Sequence, residues 1–422
     1  MRITKSNFLD TLAFTIAILW FVYIRVVGNL YLSELLLILV FILMFKSHGR
    51  KLSEPLPKQI LLFGFLWLLS QVATDLIRLT PVESLMKGWA SIIFFLIAFA
   101  SMYMLFSDNV RRLKIFIIGY ALAGILRCYI SPPSYGFDVE PWKFGFGLPV
   151  TILTIFLIIW AIQKKIIIPV MGELSLLLLG GASIYMNARS LGGVIVMTAL
   201  FLFMSRTGIF QNFFRRRLSI PKLIIFSTFG VLMILLSYQW AGESDILPES
   251  AQFKFELNKS SSFGVFGIIL AGRNELLGSI PAVIDSPIIG HGSWAEDPKY
   301  RQYLYMVVSS LGVERDEEQL RRGIESRDSI PAHSHLMQSW VWAGLLGAVF
   351  WMFILKLIAK AAIDSIKFHN PLNMLILFVC IKAVWDLLFS PFSSEMRLLW
   401  AWELVLIVMA IANIDKTVER IK

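Results

Sequence analysis

His333 and Ser334 stand at the mouth of a long apolar stretch, HSHLMQSWVWAGLLG, that runs to Gly347. Nine residues separate Ser334 from Gly344, and two more separate Gly344 from Gly347. An imidazole ordinarily titrates near about 6.5, so at neutral pH it can accept a proton. A base positioned at a reacting hydroxyl contributes about 10²–10⁴-fold in rate. Two arginines offer the complementary chemistry: Arg189 in NARSLGG and Arg273 in AGRNELLG. A guanidinium binds phosphate oxygens through a planar fork and keeps its charge. It can also stabilise negative charge that builds on a departing phosphate group. One imidazole and two guanidiniums suit transfer from a donor activated by pyrophosphate.

The elements that must carry these residues are membrane helices. The chain has 422 residues, 57% hydrophobic and 16% charged, with a mean hydropathy of +0.71. Apolar runs long enough to span a bilayer recur along most of it. They are continuous rather than alternating, so they read as helices and not as barrel strands. Spans are expected at about 8–27, 29–45, 59–79, 85–106, 113–131, 147–162, 166–186, 190–206, 222–240, 334–360, 371–390 and 395–414. The fold class is therefore all-α and polytopic, with about twelve transmembrane helices. The first run is too long for a removable signal peptide, lacks a small-residue cleavage site, and is expected to stay as an anchor. The chain divides into residues 1–240 (nine spans), a loop over 241–333, and residues 334–422 (three spans).

The formal charge of +10 invites a nucleic-acid reading, and its distribution argues against one. With twelve spans, both termini lie on one side, and 22 of the 39 basic residues fall in the tails and loops of that side. The excess of lysine and arginine makes it the cytoplasmic side. Arg215, Arg216 and Arg217 are then orientation signals. The long loop is periplasmic, and it carries fourteen acidic and nine basic residues. Loops of that length are functional or disordered. Tyr300, Leu304, Val307 and Val308 recur at helical spacing, so part of it is expected to be helical. The run from Phe263 to Leu270 is too short to span and suits an interfacial or re-entrant piece. The stretch Glu314 to Asp328 is charged all round and reads as solvated. A second periplasmic loop, SPPSYGFDVEPWKFGFG, is turn-rich and aromatic, as expected near headgroups. Cys128 and Cys380 fall inside spans and suggest no disulfide framework.

The pattern of His333, Ser334, Gly344 and Gly347 closely resembles the signature of the bacterial O-antigen ligases, and more loosely that of the O-antigen polymerases. Arg273 and Leu277 resemble the Arg-x3-Leu of the ligase loop, about sixty residues before His333; many relatives have Trp in place of Leu277. At Ala188, Arg189 and Ser190 relatives commonly show Ser-Arg-Gly, so the arginine alone is kept. The resemblance implies a metal-independent inverting glycosyltransferase of the inner membrane with a periplasmic active site. Its donor would be O-antigen polysaccharide on undecaprenyl pyrophosphate, and its acceptor an outer sugar of lipid A–core. It further implies that His333 activates the acceptor hydroxyl, with Arg189 and Arg273 on the pyrophosphate and Ser334 beside the substrate. A polymerase of the same superfamily would use the same donor and a lipid-linked acceptor. A transporter of lipid-linked oligosaccharide is the reading from a different class, but transporters tend to place charges mid-membrane and carry inverted repeats.

His335 is the rival of His333. Two residues apart on a helix, the pair point about 200° from each other. Pro331 and Ala332 suit a helix start at His333. His291, in GHG, reads as loop surface. Lys382 and Asp386 are one turn apart in the eleventh span; they suit a structural ion pair, with a donor cavity as the alternative. Glu173 and Glu403 have no partner evident in the sequence. No Walker A, Asp-x-Asp or HExxH pattern appears, so the expected chemistry uses no cofactor, no metal and no ATP.

Overall fold

The computed structural model describes residues 5–26, 28–133, 136–207, 275–310, 329–367 and 371–421, with isolated positions between 228 and 256. Helices dominate, as they must where a bilayer leaves the backbone only itself to bond with. In chain order they are α1 (Lys5–Ile18), α2 (Leu32–His48), α3 (Pro55–Arg78), α4 (Val82–Phe106), α5 (Val110–Ile130), α6 (Gly147–Gln163), α7 (Pro169–Tyr185) and α8 (Arg189–Arg206). Then come α9 (Glu275–Asp285), α10 (Pro298–Ser310), α11 (His335–Ala343), α12 (Leu345–Lys367), α13 (Asn373–Phe389) and α14 (Met396–Ile421).

Among the described residues, seven helical segments are long and apolar enough to cross a membrane: Leu32–Ser53, Pro55–Arg78, Val82–Phe106, Val110–Ile130, Trp142–Gln163, Arg189–Arg206 and Leu345–Lys367. The chain is a helical, multi-pass membrane protein. The other expected spans look different. The helices at Asn7–Phe21 and Pro169–Tyr185 are apolar but shorter. The eleventh became the 17-residue α13, and the twelfth lies within α14. The ninth, with Arg215 to Arg217, falls largely outside the described residues, as do Phe263 to Leu270 and Glu314 to Asp328.

Two expected spans are interrupted. The first stops early: α1 ends at Ile18, a 3-10 turn covers Leu19–Phe21, and strands β1 (Tyr23–Arg25) and β2 (Asn29–Tyr31) pair antiparallel. The aromatic and β-branched residues of this stretch suit a pleat better than a helix. The Tyr23 and Tyr31 rings meet across it at 5.7 Å. The tenth breaks at Gly344, which has φ 71° and separates α11 from α12. In the long loop, α10 confirms the helical spacing of Tyr300, Leu304 and Val308, all three with buried side chains.

Contacts sort the helix ends into two sets. At one end Arg112 meets Asp10 at 3.1 Å, Tyr103 meets Glu54 at 2.5 Å, Lys51 pairs with Asp108, and Ser205 donates to the Ile366 carbonyl at 2.8 Å. At the other, Arg127 pairs with Glu395 at 2.6 Å, Trp142 donates to Ser183 at 3.1 Å, and Arg397 donates to the Asn29 carbonyl at 2.6 Å. Between the ends lies an aromatic core in which Trp67 stacks on Phe350 at 5.0 Å and Trp351 meets Trp400 at 5.0 Å. In lipid, helices associate through packing rather than the hydrophobic effect. Ring pairs of this kind contribute about 0.5–1.5 kcal/mol each beyond burial.

Candidate active site

The helix that carries the histidine motif starts at His335, two residues after the expected start at His333. Ser334 is its N-cap: its Oγ accepts from the Met337 amide at 3.2 Å. The same hydroxyl donates to the Leu387 carbonyl at 2.9 Å, and the side chain is buried. Ser334 thus fixes where α11 begins and ties it to the end of α13. His333, just outside the helix, is left exposed, and its Nδ1 pairs with a carboxylate oxygen of Glu275. Glu275 opens α9, two residues after Arg273.

The meeting of α9 with the histidine segment is built from small and polar contacts. Ser279 donates to the Pro331 carbonyl at 2.8 Å. Ala282 and Val283 pack with Tyr300, Ile330 and Val341. At the far end of α9, Asp285 accepts from Lys299 at 2.6 Å and Tyr300 at 2.8 Å. These two donors hold the Asp285 carboxyl below the ordinary carboxylate range. Burial, with Asp285 next, pushes the Tyr300 phenol above its usual value.

The glycines of the motif serve the break. A side chain on Gly344 would put its Cβ 1.9 Å from the Ile288 carbonyl oxygen. One on Gly347 would come within 2.4 Å of the Ser339 oxygen. The space exists because residues 288–292 run against the opened turn: Leu345 donates to the Ile288 carbonyl at 3.1 Å, and His291 and Gly292 donate to the Val341 and Trp342 carbonyls at 2.7 and 3.1 Å. His291, expected at the loop surface, is half-buried; its Nε2 lies 2.7 Å from the Ala282 carbonyl.

His335 faces away. It is fully buried among Trp351, Phe392 and Trp400, with ring centroids 5.0, 5.3 and 5.2 Å away. Its Nδ1 lies 2.5 Å from the Ser390 carbonyl. Arg189 is the first residue of α8, half-buried. It follows a turn in which Asn187 has φ 61° and donates to Glu140. That turn lies at the same end of the bundle as His333: the far end of α8, at Ser205, meets the last turn of α12 at Ile366, and α12 starts at the break that follows α11. Arg273 lies outside the described residues. The structure therefore joins His333 to Glu275 and places Arg189 at their end of the bundle.

Glu275 was missed in the sequence, although a carboxylate two residues from Arg273 could have been read as the group that orients a base. The remaining membrane charges have partners. Lys382 meets Asp386 at 2.5 Å and Glu403 at 3.0 Å. Glu173 takes both arms of Arg206, at 2.9 and 2.8 Å, at the opposite end of the bundle. Cys128 and Cys380 are buried and free. Among the described residues no group of three or more His, Cys, Asp or Glu could hold a metal ion. No protein-family model matches the chain, and no curated protein matches it.

Proposed function

We propose that this protein is a glycosyltransferase of the O-antigen ligase type. It would move polysaccharide from undecaprenyl pyrophosphate to lipid A–core at the periplasmic face of the inner membrane. The observation that carries the reading is the exposed His333 paired with Glu275, beside a membrane bundle, just before a helix start fixed by Ser334. A carboxylate on Nδ1 leaves Nε2 free to accept a proton, the arrangement of a base and its orienting group. In the reaction, the acceptor hydroxyl oxygen forms a bond to the anomeric carbon while the bond from that carbon to the pyrophosphate oxygen breaks. His333 takes the hydroxyl proton, and undecaprenyl pyrophosphate leaves with the bonding electrons. Attack opposite the leaving group inverts the anomeric centre. Arg189 and Arg273 are assigned to the pyrophosphate on the motif resemblance.

A deletion strain tests the reading. Its lipopolysaccharide gel is expected to show core without O-chain while lipid-linked polymer accumulates. Core capped with a single repeat would make the protein a polymerase instead, and unchanged lipopolysaccharide would remove both. The purified protein is expected to transfer in EDTA without ATP; a strict need for magnesium or manganese would sink this leaving-group chemistry.

A further inference from the structure

The loop after α9, residues 286–293, sits deeper than a connection at a helix end needs to. Thr74, one turn before the end of α3, donates to the Ile289 carbonyl. Asp75 accepts from the Ser293 amide at 2.6 Å, and Arg78 donates to the Gly290 carbonyl at 3.0 Å. The loop therefore lies level with the last turn of α3, a candidate membrane span. At that level Leu76 and Ile77 of α3 are exposed, as is Leu79 just past its end, at 86%. The loop and α9 continue this apolar surface. Ile280 and Ile284 form a ridge on α9 opposite the packed residues Gly278, Ala282 and Val283, and Ile288 in the turn after it extends the same surface, with Ile284 69% and Ile288 71% exposed.

Much of the backbone of this loop is paired within the protein. The carbonyls of Ile288, Ile289 and Gly290 and the amides of Gly290, His291, Gly292 and Ser293 all have protein partners. A loop in water can leave such groups to solvent, whereas irregular backbone at membrane depth must be paired in this way.

We propose that α9 and the loop after it form a monotopic anchor lying in one leaflet of the bilayer, with Ile280, Ile284, Ile288 and Ile289 against phospholipid acyl chains. The ridge has the period of an interfacial helix, and its flank carries the neutralised pair Asp285–Lys299. The inference does not depend on the transferase reading. It makes one membrane surface of two parts that are distant in sequence, the end of α3 and the segment that opens at the His333–Glu275 pair.

The test uses full-length protein in phosphatidylcholine vesicles, with Cys128 and Cys380 replaced by alanine. Single cysteines replace Ile280, Ile284 or Ile288 and carry an environment-sensitive fluorophore. Glu296→Cys provides an aqueous control and Ile42→Cys a lipid-facing control on α2; both positions are exposed. The three ridge sites are expected to emit as in an apolar medium. A doxyl group placed near the headgroup end of the lipid chain should quench them severalfold more than it quenches the Glu296 site. Three sites keep the test open if one variant fails to fold. Emission and iodide quenching like those of the Glu296 site would overturn the proposal. Shielding from both iodide and doxyl lipid would overturn it too, since the ridge would then be covered by protein.

Discussion

Two histidines two positions apart do different work because one turn of backbone separates solvent from core. His333 has a carboxylate on one ring nitrogen and an open face on the other side; His335 fills an aromatic cage. His333→Ala is expected to abolish O-chain transfer at unchanged protein level and unchanged thermal stability in detergent. His335→Ala leaves a cavity and an unmet Ser390 carbonyl, for a cost of about 2–4 kcal/mol. It is expected to lower the melting temperature while the activity of the remaining folded protein is kept. An active His333→Ala beside an inactive but stable His335→Ala would exchange the two roles. On the proposed reading, Glu275 acts on the chemistry through His333. Glu275→Gln is expected to lower turnover by about 10²-fold, less than loss of the base itself, with donor KM little changed. Glu275→Asp should recover part of the loss, and equal activity across the three side chains would show that the carboxylate orients nothing.

At the scale of elements, the broken helix decides the geometry. A continuous span would run the α11 axis straight through Gly344; the left-handed turn there lets the 288–292 backbone close against the opening. Gly344→Ala puts a methyl on the Ile288 carbonyl in a conformation that alanine dislikes. The expected cost is about 1–3 kcal/mol from the backbone alone, read as lost expression and a lower melting temperature, with wild-type stability as the outcome that contradicts it. The motif was legible in the sequence and its reason was not. Spacing showed two glycines in register with His333, but not that a loop fifty residues earlier would occupy the space they leave. The helix start was misjudged by two residues for a similar cause: Pro331 and Ala332 look like a start, and the cap that decides it is the Ser334 hydroxyl. The hairpin at Tyr23–Tyr31 was hidden because strand and helix patterns coincide in so short an apolar run.

For the whole molecule, charge orders the two ends. Arg50, Lys51, Arg111, Arg112, Lys164, Lys165 and Arg206 gather at the end opposite His333, and several are paired there with Asp10, Asp108 or Glu173. The excess predicts that this end faces the cytoplasm. Cysteines at Glu296 and Ser310, both exposed positions, are expected to react with a membrane-impermeant thiol reagent in intact spheroplasts, and a cysteine at Lys164 is not. Labelling at Lys164 alone would invert the molecule. Polytopic helical character was readable from hydropathy because it is a property of composition. The joining of Glu275 to His333 was not, because it depends on how two segments 58 residues apart dock, which no local pattern encodes.

The trio of Lys382, Asp386 and Glu403 has a consequence for how the chain enters the membrane. Two of its charges sit on the 17-residue α13, and the third is on α14, which is made later. Until α14 emerges, Lys382 has one of its two carboxylates and the helix lacks one of the walls that bury it. An isolated lysine or aspartate in a bilayer costs about 2.5–3.5 kcal/mol on insertion scales. The two helices are therefore expected to be handed to the bilayer together, as a late-folding hairpin. A chain ended after Ser394 should leave α13 poorly integrated in a reporter-tag insertion assay, and full integration of that truncated chain would show that α13 needs no partner.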